Sequence, residues 1–407
     1  MDLALSCFLN PSGLSWVGQT YFDCFTQYNV RTIPLWIGPP EIETKDALDP
    51  ALAEAMLRAS AMPITEGAIQ LHAGRADEAK ALKGASLFIG SMVLEGNRLN
   101  DDHLRICRGM DVVVTPSYFC RNICMSSGVP RSKIFHLPYA LDSKIWNPEV
   151  KPARPKEERF RFLFMNTFYE RKGWDILLKA FWKEFSADDP VELTIKSYRE
   201  NDRLEPLEIL VAVEAAKLGV DRSKRAPVVI MDELMPAAQI PSFMKSFDAY
   251  VSPHRSEGFG MNPWHAMAIG VPVICTNFGG NTDFTKSDTS WLVKLSGYSK
   301  PSEKEASIFP HLRGMVWGEP DVQDLRRQMR LCMQNTDEAA RRAKIGAEHV
   351  ASAYSYARVM TSFETILKTA APGAWEKLCM SRDLELMLKQ PSPRFESAEI
   401  PLKMMEI

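Results

Sequence analysis

Short apolar runs alternate with helical patterns along the first half of this chain. Leu3 to Leu9 predicts a strand, Ser15 to Thr26 a helix and Thr32 to Ile37 a second strand. Further strands are expected at Ala68–Leu71, Ser86–Met92, Asp111–Thr115 and Ile134–Leu137. A helix fits between Ser117 and Ser127, with Ser117 as its N-cap and Gly128 as its stop. The segment Trp146 to Arg159 is rich in Pro, Lys and Glu and reads as an interdomain linker. A second alternation begins at Phe160. Strands are predicted at Phe160–Met165, Val191–Ser197, Val228–Met231 and Ala249–Ser252, and helices at Gly173–Phe185, Pro206–Leu218 and Ile240–Phe247. From Asp321 to Lys368 the pattern is helical and amphipathic. Two successive βα series imply an α/β protein of two Rossmann-like domains facing a cleft.

One apolar stretch needs separate treatment. Residues 258 to 282 carry no Asp, Glu, Lys or Arg, so a membrane span has to be considered. Pro263, Gly270, Pro272, Asn262 and His265 interrupt it, and no run of about twenty apolar residues survives. The stretch predicts a buried helix followed by the strand Val271-Pro272-Val273-Ile274.

Composition narrows the class. A chain of 407 residues is long for one core and comfortable for two domains. A formal net charge of −2 gives no electrostatic reason to expect nucleic acid as the main partner. The apolar run at the N-terminus has no basic flank and meets Asn10-Pro11-Ser12-Gly13 too early for a signal peptide. The eight cysteines form no C-x-x-C pair. Cys120 and Cys124 lie one helical turn apart, and Cys7, Cys275 and Cys379 sit in apolar settings. Free buried thiols in a reducing cytosol are the expectation, with no disulfide or zinc framework.

The densest chemistry lies in Ser256-Glu257-Gly258-Phe259-Gly260-Met261-Asn262-Pro263-Trp264-His265-Ala266-Met267-Ala268-Ile269-Gly270. A helix N-terminus preceded by Gly-Phe-Gly offers backbone N–H groups and a positive dipole end to a phosphate. Glu257 at its lip is a candidate acceptor for sugar hydroxyls. A second constellation, Asn166-Thr167-Phe168-Tyr169-Glu170-Arg171-Lys172-Gly173-Trp174-Asp175, leads from a strand through adjacent cations into a helix. The residues alone leave Arg171 and Lys172 open between a solvated pair and a diphosphate clamp. Asn10-Pro11-Ser12-Gly13 is on residues alone an ordinary βα turn with a serine cap. Glu95 follows a strand and is alone unremarkable, and His72 reads as a hydrogen-bonded structural histidine.

The Ser256–Ile274 stretch resembles the donor site of GT-B glycosyltransferases of family 4, whose pattern reads S-E-G-F-G-x-x-x-x-E-A-M-A-x-G-x-P-V-I. The second glutamate of that pattern is His265 here. The run Arg171-Lys172-Gly173-Trp174-Asp175 is similar to the element whose lysine binds donor phosphate in that family. Thr167 stands where many members place an arginine. Weaker matches follow in family order: Thr115-Pro116-Ser117, Ser127-Gly128-Val129-Pro130, Leu137-Pro138-Tyr139-Ala140-Leu141-Asp142 and Trp317-Gly318-Glu319-Pro320-Asp321.

The resemblance implies three regions. Residues 1–145 would form an acceptor-side domain, 146–350 a donor-side domain, and 351–407 a helix returning to the first domain plus a tail. It implies transfer of a sugar from a UDP- or GDP-linked donor to a saccharide, lipid-linked or small-molecule acceptor, with retention at the anomeric carbon. It further implies a cytoplasmic location with peripheral membrane contact. Glu257, Lys172 and Glu95 are then the candidate catalytic residues. Gly13, Thr167, Arg171, Arg255, Gly258, Phe259, Gly260, Met261, Asn262 and His265 are the candidate donor-binding residues. His265 is expected to hold the ribose and to gain charge beside a diphosphate as pH falls through about 6.5. No D-x-D motif is present, so no metal and no cofactor are expected. A non-catalytic sugar- or nucleotide-binding protein of the same fold is the alternative, and an epimerase or phosphorylase is a third reading.

Overall fold

In the computed structural model of the protein, residues 1–10, 12–41, 47, 49–155, 158–197, 206–221 and 223–379 are described. Pro11 of the first βα turn and the tail beyond residue 379 lie outside them. The first parallel sheet has six strands: β1 (Leu3–Cys7), β2 (Thr32–Trp36), β3 (Ile69–His72), β4 (Leu87–Ser91), β5 (Val112–Thr115) and β6 (Ile134–His136). Its order is β2-β1-β3-β4-β5-β6. All residues of β1 to β5 are buried, because helices cover both faces of a parallel sheet. Those helices are α1 (Gly13–Gln27), α2 (Pro50–Ser60), α3 (Asp101–Gly109) and α4 (Tyr118–Ser126).

Polar side chains start these helices where backbone N–H groups lack partners. Ser12 caps α1, Asp49 caps α2 with Pro50 at the first position, Asn100 caps α3, and Ser117 caps α4 as predicted. Helices α2 and α3 were not expected, since neither carries a long apolar stripe. In α3 only Cys107 is buried.

The second sheet holds β7 (Phe160–Met165), β8 (Val191–Ser197), β9 (Val228–Asp232), β10 (Ala249–Ser252), β11 (Val273–Thr276) and β12 (Trp291–Val293). Its order, β12-β11-β10-β7-β8-β9, is that of a doubly wound sheet. The helices are α5 (Trp174–Glu184), α6 (Leu207–Lys217), α7 (Ile240–Lys245) and α8 (Met261–Ala268), followed by the short α9 (Glu303–Ile308). A two-stranded antiparallel ribbon, β13 (Leu295–Ser299) with β14 (Trp317–Pro320), was not foreseen. The two Rossmann-like domains expected from the alternation are both present.

Three long helices close the fold: α10 (Val322–Gln334), α11 (Thr336–Ala353) and α12 (Tyr356–Ala370). Helix α11 covers α8, with Gly346 against Met267. Helix α12 packs on α1 of the first domain, where Phe363 meets Phe25 at 4.7 Å and the Tyr356 hydroxyl donates to Asp23 at 2.8 Å. The start of the expected linker behaves otherwise. Trp146 is only 2% exposed and belongs to the same apolar cluster as β1, α1 and α8. Its Pro- and Lys-rich surroundings concealed one fully buried aromatic anchor. The seven cysteines whose side chains are described are free and buried.

Candidate functional site

In a doubly wound sheet the crevice lies at the carboxyl ends of the two strands where the order reverses. Here those are β7 and β10, paired in parallel through Ala249 with Phe162 and Tyr250 with Leu163. The loop after β7 ends in a tight turn, Glu170–Lys172, and α5 starts at Gly173 with φ +72°. A Cβ at Gly173 would stand 1.9 Å from the Pro253 carbonyl oxygen, so only glycine lets the two loops touch. The Arg255 amide then donates to the Arg171 carbonyl at 2.8 Å. Both predicted constellations are thereby brought into one place.

Their charges interlock. Lys172 Nζ donates to Glu257 Oε1 at 2.5 Å, and Arg171 Nη1 reaches Glu257 Oε2 at 3.4 Å. Arg171 Nη2 reaches Glu95 Oε1 of the first domain at 2.8 Å. Behind them the Glu305 carboxylate receives the amides of Glu170 and Arg171. Glu257 and Arg171 are both buried, a situation that holds only because the charges are paired. Burial alone would raise the Glu257 carboxyl, but Lys172 and then Arg171 outweigh it and hold the group at about 2. Burial, then the Arg171 charge, pulls Lys172 below the ordinary lysine range, and Glu257 partly opposes this. The result is a carboxylate and two cations at a domain boundary, able to exchange their mutual contacts for an anion and a hydroxyl.

The backbone around Glu257 is held at successive carbonyls. Arg171 donates to Ser256 O at 3.2 Å, and the Gly280 amide donates to Glu257 O at 2.7 Å. Gly258 O accepts the Ser117 hydroxyl at 2.6 Å and the Cys120 thiol at 3.2 Å, both from the first domain. Gly260 then caps α8 with φ +93°. The first-turn amides of Met261 and Asn262 have no intrahelical acceptor by the geometry of a helix start, and Pro263 carries no N–H. Gly13 lies exposed at the head of α1, and a Cβ there would be 3.0 Å from Met261 Sδ. Asn262 is anchored by its amide to Met165 O at 2.6 Å, and Thr167 lies half-buried in the same β7 loop. Gly13, Gly258, Gly260, Met261, Asn262, Arg171, Lys172, Glu95 and Glu257 therefore border one region.

Three expected donor-site residues are placed differently. Every N–H of the Arg255 guanidinium is taken: Nε and Nη2 by Glu319, Nη1 and Nη2 by Asp175, and Nη1 also by Glu170 O. With its fork filled by two carboxylates, Arg255 ties α5 to the β13–β14 ribbon and has no donor left for a phosphate. Phe259 is 3% exposed and packs among Tyr139, Trp264, Phe284 and Tyr354. Its backbone belongs to the glycine turn, while its ring belongs to the core.

His265 departs furthest from expectation. Its ring lies parallel to Trp146 at 3.8 Å and 5°, with Trp16 at 5.6 Å and Trp264 at 4.9 Å. These rings, with Tyr139, Thr20, Asp142 and Met261, line a small cavity between α1, α8 and the segment joining the domains. Burial without a compensating charge pushes the imidazole down to about 3. The expected gain of charge near pH 6.5 is corrected: the ring stays neutral because it is desolvated among aromatics. Sequence reasoning missed Trp16 and Trp146 because their partner is distant in the chain. It found Ser117 as a cap but missed its second bond. His72 is the structural histidine expected, its Nε2 at 2.8 Å from Arg75 O.

Comparisons with known proteins agree with this geometry. Residues 159–299 match the family described as glycosyl transferases group 1. A D-inositol 3-phosphate glycosyltransferase of Segniliparus rotundus is 30% identical over 155 residues, 36% of this chain and 32% of that protein. A GDP-mannose-dependent alpha-(1-6)-phosphatidylinositol monomannoside mannosyltransferase of Mycolicibacterium smegmatis is 26% identical over 189 residues, 43% of this chain and 47% of that protein. The chain thus spans less than half the length of these curated relatives. The HepE protein of Anabaena, solved with UDP and glucose, superposes with a TM-score of 0.63 at 12% identity, covering 91% of this chain and 100% of that one. The chain therefore has the GT-B architecture, and its second domain is similar to the group 1 glycosyl transferases.

Proposed function

We propose that this protein is a glycosyltransferase that moves a sugar from a UDP- or GDP-linked donor to a saccharide, lipid-linked or small-molecule acceptor. The observation that carries the reading is the Arg171–Lys172–Glu257 cluster at the β7/β10 switch point, facing the start of α8. A donor diphosphate would take over the two cations and the α8 amides, which would then stabilise charge developing on the leaving group. Glu257, freed from Lys172, would accept hydrogen bonds from sugar hydroxyls. Glu95 would give up Arg171 at the same time and face the acceptor side. Gly13 would allow the first domain's backbone to approach, and Thr167 would line the β7 loop beside the phosphates. No side chain is placed as a covalent nucleophile in this reading, so the family's retaining front-face displacement is the mechanism we favour. The absent D-x-D motif and the paired cations favour metal-independent turnover.

No helix among the described residues is long and apolar enough to cross a membrane. A cytoplasmic protein touching a membrane surface from outside the bilayer fits a lipid-linked acceptor. His265 favours a second reading, a sugar- or nucleotide-binding protein without turnover, because the residue matching the family's ribose glutamate is stacked on Trp146. A panel of UDP-, GDP- and ADP-sugars, followed by NMR with and without acceptors and with EDTA, separates the two. Chelator-resistant donor consumption supports transfer. Binding with no turnover of any donor supports the second reading.

A further inference from the structure

The three carbonyls of the loop carrying Glu257 are not held alike. Those of Ser256 and Glu257 are held by Arg171 and Gly280 of their own domain. That of Gly258 is held by the first domain, at the start of α4. The Ser117 hydroxyl serves both sides at once. Its oxygen accepts the Cys120 amide at 3.2 Å and so caps α4, while its proton goes to Gly258 O at 2.6 Å. A hydroxyl has one donor and two acceptor positions, so the two roles do not compete.

The surroundings allow this contact and little else. A Cβ on Gly258 would lie 2.5 Å from Val93 Cγ1 and 2.9 Å from Leu94 O, and one on Gly280 would lie 2.0 Å from Gly258 O. Beside it the Tyr118 amide, also at the start of α4, donates to Asp283 of the second domain at 2.8 Å. Leu94 immediately precedes Glu95, the residue that reaches Arg171. Ser117 itself is fully buried. The peptide next to Glu257 is therefore gripped by the second domain on one side and by the first on the other.

We infer that Ser117 is a positioning residue, which sets the Glu257 carboxylate only when the first domain is closed onto the glycine turn. Its part in turnover rests on the transferase reading above, whereas the clasp itself does not. The cations and α8 amides that would hold the diphosphate remain on the second domain, so losing the clasp should leave nucleotide affinity intact and impair the step that needs Glu257 aligned.

The test compares Ser117→Ala, Ser117→Thr and Asn100→Ala. The last removes the cap of α3, whose side chain accepts the His103 amide of its own helix and not a bond from the glycine turn. Hydrogen exchange of residues 256–262 is read by mass spectrometry, UDP and GDP affinity by calorimetry, and turnover at saturating donor. In Ser117→Ala we expect exchange there about tenfold faster, affinity within about twofold of wild type and turnover about tenfold lower. Ser117→Thr restores both readouts and Asn100→Ala moves neither. Unchanged exchange at 256–262 in Ser117→Ala, or equal acceleration in Asn100→Ala, overturns the inference. Faster exchange in Ser117→Ala alone, in a protein whose wild type turns over no donor, contradicts the transferase reading and leaves the clasp standing.

Discussion

Glu257 and His265 belong to one short stretch of chain, both are buried, and they are treated in opposite ways. Glu257 is surrounded by cations and held ionised at about 2. His265 is surrounded by rings and held neutral at about 3. Burial penalises the charged form in both cases, and only the neighbours decide the outcome. Paired charge can be traded for a ligand's charge, because an anion replaces the contacts it breaks. A stacked ring has nothing to trade. The comparison teaches that the start of α8 is built for exchange and its far end for fixing two domains around Trp146.

The same contrast divides two of the buried arginines, Arg171 and Arg255. Arg255 is filled by Asp175 and Glu319, while Arg171 spans Glu95 and Glu257 across the boundary. Arg255→Ala should strand two carboxylates and cost about 3–5 kcal/mol of stability, visible as a lower denaturation midpoint. A loss below about 1 kcal/mol would place Arg255 with the exchangeable charges and blur the comparison.

Lys172→Ala should act on ligand more than on fold. Removing a charge-assisted partner of a diphosphate is worth about 1.5–3 kcal/mol, so UDP or GDP affinity should fall roughly ten- to hundredfold by calorimetry. Unchanged affinity would return Lys172 to a purely structural pair with Glu257.

A third effect sharpens the aromatic end. A histidine depressed to about 3 in the folded chain stays neutral while the unfolded chain takes up the proton below its ordinary value near 6.5. Its contribution is thus fully present above that value and lost as pH falls toward 3, at roughly 1.4 kcal/mol per pH unit. His265→Phe keeps a ring against Trp146 without the titration, so denaturant melts from pH 6.5 to 4 should show a shallower slope by about one proton. An unchanged slope would mean that the ring is protonated in the fold.

Much of this was legible in sequence, for local reasons. Short apolar runs marked the strands, since β1 to β5 are buried on both faces and carry no charged residue. Gly173 and Gly260 marked loop-to-helix turns that demand positive φ, and Glu257 and Lys172 flanked them. What escaped depends on partners remote in the chain. Nothing near Arg255 announced that Asp175 and Glu319 would fill it. Trp146 looked like part of a polar linker because its neighbours are exposed or half-buried, and His265 looked like a substituted ligand because Trp16 and Trp146 lie far from it in the chain. Ser117 showed its cap, a bond three residues long, and hid the bond to Gly258.

The central claim is that the charged end of this stretch performs transfer. It is tested most directly by donor turnover in Glu257→Ala, at saturating nucleotide sugar and with folding confirmed by a cooperative melt whose midpoint lies above the assay temperature. A carboxylate in a water-poor cleft makes strong hydrogen bonds to hydroxyls, so the loss should reach about two to three orders of magnitude. Wild-type turnover in Glu257→Ala would contradict the account and remove that residue from the reaction.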